Sequence, residues 1–149
     1  MKINTASFGE IEFVEDALIH FKEGIIGFPA FKRFVLLENP EVEPFKWLQP
    51  IEEPRISFLV ISPQVVFPDY RVELPQEEKE DLGFEAQEGP LTLTITIIHP
   101  KAASASTNLL APLVINPRNM RGKQVVLSGS GYSVEQALIL QPAEEAEIV

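Results

Sequence analysis

The side chains able to do covalent or metal chemistry in this sequence are few and poorly spaced for it. There is no cysteine, and the two histidines stand apart, His20 between Ile19 and Phe21 and His99 directly before Pro100. Neither belongs to a metal-ligand motif, so both read as structural or surface histidines and no metal or other cofactor is expected. Ser128-Gly129-Ser130-Gly131 lacks the Gly-x-Ser-x-Gly frame of a nucleophile elbow and the Gly-Lys-Ser/Thr of a phosphate loop, and reads as a turn. Two carboxylates can hydrolyse a glycoside, but nothing singles out a pair among the 22 present. What remains is the chemistry of charge and apolar contact, and the expectation is a protein that is not an enzyme.

The charge is lopsided. Twelve Lys and Arg stand against 22 Asp and Glu, a formal net charge of −10, which disfavours direct nucleic-acid binding because that affinity comes largely from cations displacing counterions at phosphates. The same field steers basic partners inward. The acidity is concentrated: residues 73–88 hold seven acids and one base, Lys79. Glu77, Glu78, Glu80 and Asp81 fall on a short helix expected over 75–82, opened by Pro75 and stopped by Gly83, and are the candidate contacts for a basic partner. Arg118, Arg121 and Lys123 give the turn expected over 116–123 a positive tip.

These groups must be positioned by a mainly β fold. Thirteen prolines from Pro29 to Pro142 interrupt long helices, and short Val-, Ile-, Leu- and Phe-rich runs predict strands over 5–13, 17–21, 34–38, 56–61, 91–98, 111–116 and 124–128. In Leu91–Ile98 the pattern places Leu91, Leu93, Ile95 and Ile97 on a core face and Thr92, Thr94 and Thr96 on a partly wet one. Residues 133–140 lean toward a last strand, with a short helix as the other reading. The expectation is an antiparallel β-barrel or sandwich with one or two short helices, a single domain over 1–149 whose acidic tail, 142–149, is frayed. No apolar run approaches the ~18 residues of a membrane span and the N-terminus lacks a secretory h-region, so a cytoplasmic protein without membrane contact, monomeric when alone, is expected.

The most unusual stretch is Phe21-Lys22-Glu23-Gly24-Ile25-Ile26-Gly27-Phe28-Pro29, too apolar for a solvated loop and too rich in glycine for a helix or central strand. Gly24, Gly27, Phe28 and Pro29 predict a buried, sharply turned segment with specified backbone angles. Three more blocks follow in order: Pro44–Gln49, with the sole tryptophan, Trp47, and Gln49; Pro68-Asp69-Tyr70; and Thr107–Asn116, with Asn108, Ala111 and Pro112, leading to Gly122-Lys123-Gln124. Trp47 reads as a core anchor. Gln49 and Asn108, if buried, need backbone partners, and Asn108 and Asp69 are expected to close turns through their side chains.

In this order and spacing the four blocks resemble the FliW family of flagellar assembly factors, from about Ile11 to Leu140. The resemblance implies a bacterial cytoplasmic, non-enzymatic regulator that binds flagellin before export. When flagellin is scarce, it implies binding of the translational regulator CsrA, which relieves repression of flagellin mRNA. An apolar groove or sheet edge is then expected for flagellin, and the block residues are read as mainly structural. Two rival readings are a small β-barrel carrier of an apolar ligand, which needs a closed apolar cavity, and a carboxylate-dependent hydrolase, which needs two carboxylates converging in a cleft.

Overall fold

The computed structural model describes residues 1–138; the expected acidic tail, 142–149, lies outside them. Eleven strands and one α-helix follow in order: β1 Lys2–Thr5, β2 Gly9–Glu12, β3 Ile19–Phe21, β4 Arg33–Glu38, β5 Phe45–Pro50, β6 Phe58–Ile61, α1 Gln76–Asp81, β7 Leu91–His99, β8 Ser104–Thr107, β9 Leu113–Asn116, β10 Arg121–Gln124 and β11 Gln136–Leu138. The sheet runs β7-β6-β5-β4-β3-β10-β9 and closes because the start of β7 also pairs with β9, giving a seven-stranded barrel. All its pairings are antiparallel except β3 with β10, where Phe21 lies beside Gly122. The second half of β7 carries β8 and then β11 as an extension.

The barrel is filled. Phe21, Phe34, Leu48, Val60, Leu93, Leu113 and Ile115 are each at most 2% exposed and pack as one cluster with Ile19, Ile25 and Phe58. Phe21 meets Phe34 edge to face at 5.2 Å, and each such buried aromatic contributes about 1.5–3 kcal/mol by burial. Alternation along β9 sends Leu113 and Ile115 inward and Val114 outward, where Val114 anchors a second layer with Tyr70, Leu82, Leu109, Val125 and Leu127. That layer holds α1 against the outside of the barrel. The β1–β2 hairpin covers a third cluster around Phe13, Leu18 and Val35.

Several elements differ from the sequence pattern for definite reasons. The run 5–13 is a hairpin, not one strand, because Thr5 Oγ1 accepts from Phe8 N and donates to Gly9 O, folding the chain back at 6–8. The strand expected over 124–128 is displaced: β10 runs Arg121–Gln124, so only Gln124 of the expected run is in it, residues 125–128 are irregular, and the turn after Asn116 is shorter than 116–123. β5 and β8 carry too many polar or small residues to announce themselves, Lys46 and Gln49 in one and Ser-Ala-Ser-Thr in the other. In β7 both faces are buried along the middle of the strand: Leu93 fills the barrel core with Ile95 against it, as the pattern implies, but Thr92, Thr94 and Thr96 are buried as well, and only Leu91 and Ile97 of the apolar face come out, 40% and 55% exposed. Thr107 Oγ1 lies 2.7 Å from Thr94 Oγ1 and 3.1 Å from Thr96 Oγ1, so the hydroxyls satisfy one another and can be buried.

Trp47 is half-buried and outside the main core, packed edge to face on Phe8 at 5.6 Å. Gln49 is fully buried, and its Nε2 donates to the carbonyls of Pro50, Glu53 and Ile56. Asn108 closes its turn by accepting from Ala111 N through Oδ1 at 3.0 Å, and Pro112, buried, leads into β9. Exposed Asp69 makes no side-chain hydrogen bond among the described residues; its neighbour Tyr70 is buried and donates to Leu109 O at 2.7 Å. Burial, and then the Tyr132 ring beside it, push the Tyr70 phenol above its ordinary pKa of 10.0. A raised phenol pKa stabilises the fold below pH 10.0, and that contribution is lost as pH rises toward the folded value. In an absorbance titration, Tyr70 is expected to stay protonated through pH 10 and to ionise only with unfolding. Tyr70→Phe, which orphans the Leu109 carbonyl, is expected to lower stability by about 1–2 kcal/mol. A Tyr70 that titrates reversibly in the folded protein refutes the burial argument.

Candidate functional site: an acidic helix and an apolar groove

Helix α1 is opened by Pro75 and holds Glu77, Glu78, Glu80 and Asp81, but the four carboxylates are not equivalent. Glu77 and Glu80 face solvent. Glu78 accepts from Lys123 Nζ at 2.6 Å, and Asp81 lies 3.5 Å from the same nitrogen. Lys123 also reaches Glu23 at 3.7 Å, so one ammonium ties α1 to the loop after β3. The Glu78 hydrogen bond is the main reason the Lys123 pKa stands above its ordinary 10.5. Arg118 spans Glu85 and Glu88, its hydrogen bond holding the Glu88 carboxyl below the usual carboxylate range. The positive turn thus folds onto the acidic stretch of its own chain: Arg118 and Lys123 pair with acids of 73–88, whereas Arg121 reaches only the backbone carbonyl of Asp81. The solvent-facing charge that remains is centred on Glu77 and Glu80.

The segment 21–29 is sharply turned as expected, but only its base is buried. Gly24 has φ +69°, and a side chain there would stand 2.7 Å from Phe28 O, Pro29 Cα and Pro29 O. No residue but glycine fits. Ile25 and Phe28 then bridge across a two-residue turn, Ile26-Gly27, with Ile25 in the core. The tip comes to the surface: Ile26 is 64% exposed and Phe28 36%. Gln124 fixes it there, its Oε1 accepting from Ile26 N at 2.8 Å and its Nε2 donating to Ala111 O at 3.0 Å. Phe28 stands edge to face on Phe58 at 5.1 Å, which connects the tip to the core aromatics.

That exposed tip forms one wall of an open apolar groove of about 600 Å³. Ile97, Val126 and Val134, each at least half exposed, line it together with Ile26 and Phe28, over a floor that includes Phe58. Apolar residues scattered singly need no explanation, but five converging on one concavity mark a contact surface. Asn108 and Ala111 from the later block also line it, so the structure brings together two of the four blocks. Trp47, Gln49, Asp69 and Tyr70 are not among its lining residues. The sequence reading missed Ile97, Val126 and Val134, and the signal for Ile97 was misleading, since its period-2 pattern assigned it to the core.

The carboxylates that converge, Glu23, Glu78 and Asp81, do so on the Lys123 ammonium. No cluster of three or more potential metal ligands occurs among the described residues, and none of their helices is long and apolar enough to cross a membrane. A barrel filled inside, with an open apolar groove and an acidic helix outside, defines a closed β-barrel protein whose candidate contact features lie on its outer surface. More narrowly, the chain belongs to the FliW family of flagellar assembly factors: the family model described as FliW protein matches residues 2–138. It is 39% identical over 140 residues to the flagellar assembly factor FliW of Caldanaerobacter subterraneus subsp. tengcongensis, covering 93% of each chain. It is 35% identical to that of Geobacter sulfurreducens, over 96% of this chain and 89% of the other. A solved structure, the crystal structure of the flagellar assembly factor FliW, superposes with a TM-score of 0.84 at 33% identity, covering 92% of this chain and 96% of that one.

Proposed function

We propose that this protein is a non-enzymatic regulator of flagellar assembly that holds flagellin in the cytoplasm and, when flagellin is scarce, binds CsrA and relieves its repression of flagellin mRNA. The observation that carries the reading is the open groove walled by Ile26 and Phe28, because an amphipathic helix of a partner docks by laying its apolar face into such a concavity. Membership of the family supports flagellar assembly as its setting. For CsrA, a basic RNA-binding dimer, the exposed carboxylates of α1 are the proposed contact. Bound beside the RNA groove, a protein of net charge −10 repels incoming phosphates.

The test is direct binding of purified flagellin and purified CsrA, with RNA release from CsrA as the functional readout. Glu77→Lys with Glu80→Lys leaves the Lys123 network intact and is expected to weaken RNA release about tenfold at low salt, with the difference shrinking as salt rises. Unchanged release at both salts removes the acidic helix from the mechanism. Binding of neither protein removes the function.

A further inference from the structure

The apolar groove does not end at the motif loop. Ile25, Ile26 and Gln124 line both it and a smaller depression of about 170 Å³, and that depression shares Glu23 and Lys123 with a cleft of about 570 Å³ on the far side of the loop. The three share walls around residues 23–27 and are taken together as one trough. Its chemistry changes along its length. The far cleft is lined by His20, Lys22, Lys32, Arg33, Arg121 and Lys123 against only Glu23 and Asp81. Arg33 is paired with Glu52, and Lys123 with its three acids. Among the described residues no carboxylate lies within 4.0 Å of the side-chain nitrogens of Lys22, Lys32 or Arg121; Glu52 reaches only the backbone N of Lys32, Lys32 Nζ donates to Lys22 O at 2.8 Å, and Arg121 donates to the backbone carbonyl of Asp81 at 3.5 Å. A protein of net charge −10 thus keeps three cations without carboxylate partners at one end of its apolar groove.

We infer that the trough takes a protein segment in which apolar residues are followed or preceded by a run of carboxylates, the apolar part lying against Ile26, Phe28 and Val126 and the acidic part in the Lys22–Lys32–Arg121 cleft. This rests on the reading of the groove as a partner surface and adds the chemical class of the segment. Apolar contact supplies the anchor, and charge complementarity sets the direction in which the segment lies. The inference opposes what total charge alone dictates, because a net charge of −10 favours a basic segment everywhere.

Two synthetic peptides make the test. One carries leucines at i, i+3, i+4 and i+7 joined to a run of glutamates; its twin has lysines in place of the glutamates; both are also made with the charged run at the other end. Binding to the full chain by calorimetry at low salt is expected to favour a glutamate peptide over its lysine twin about tenfold. Lys22→Glu with Lys32→Glu is expected to invert the preference while leaving Tm within a few degrees, and Ile26→Asp to weaken every peptide. Equal affinities, a preference for lysine, or a glutamate preference that survives the double charge reversal overturns the inference. A chain that keeps the glutamate preference yet binds neither flagellin nor CsrA retains the trough and loses only the assignment of its partner.

Discussion

Gly24→Ala is expected to lower the stability of this protein by about 3 kcal/mol or more, whereas Gly27→Ala, three residues on, is expected to cost about 1–2 kcal/mol. Both glycines have positive φ, +69° and +89°. The difference is in what a methyl group meets. At Gly24 it lands 2.7 Å from the backbone of Phe28 and Pro29, which cannot retreat without breaking the Ile25–Phe28 bridge and moving Ile25 out of the core. At Gly27 there is nothing within 4 Å, so only the backbone strain of a left-handed residue remains. For a chain of this length about 3 kcal/mol corresponds to a fall in Tm of roughly 6–12 °C. Thermal melts of the two variants, compared with wild type, decide the matter. Equal losses show that the loop base can relax and that its packing was misjudged.

Ile26→Asp combined with Val126→Asp is expected to weaken flagellin binding about a hundredfold while leaving Tm within about 2 °C. Both side chains line the groove and are at least half exposed, so their loss removes little that the folded chain needs. In a complex the same positions are to be desolvated, and two buried, unpaired carboxylates there are expected to cost about 3 kcal/mol or more of binding free energy. Titration calorimetry with purified flagellin measures the loss, and circular dichroism melts check the fold. A double variant that binds like wild type excludes the groove as the flagellin surface. A variant that unfolds shows that these residues belong to the core after all.

Much of the fold was legible because its signals are local. Proline density excluded long helices, the Pro75–Gly83 frame located α1, and Phe34–Glu38 read as a strand on composition alone. The parallel β3–β10 pairing was not legible, since nothing in Phe21 or Gly122 announces that they lie side by side. Nor was the burial of the second face of β7: whether a threonine face is wet depends on a distant Thr107 that hydrogen-bonds to it. The acidic candidates were found by counting charge, but counting cannot tell Glu78, held by Lys123, from Glu77, which faces solvent. The groove was hidden for a related reason. A run of Phe and Ile among glycines signals burial on average, and only the turn at Ile26-Gly27 decides that the tip emerges.

The hydrogen bond from Ile26 N to the Gln124 side chain joins residues 98 apart in the chain, and the parallel β3–β10 pairing, without which the barrel is not closed either, spans a similar distance. During synthesis the motif loop therefore waits for its fastening until nearly the whole barrel has left the ribosome, at ~5–20 residues per second an interval of several seconds. Loop closure over such separations must be met before any reward, which places folding in the slow, millisecond-to-second range of nonlocal β proteins. The groove thus comes into being late and all at once, so a nascent chain has no half-made docking surface with which to capture a partner.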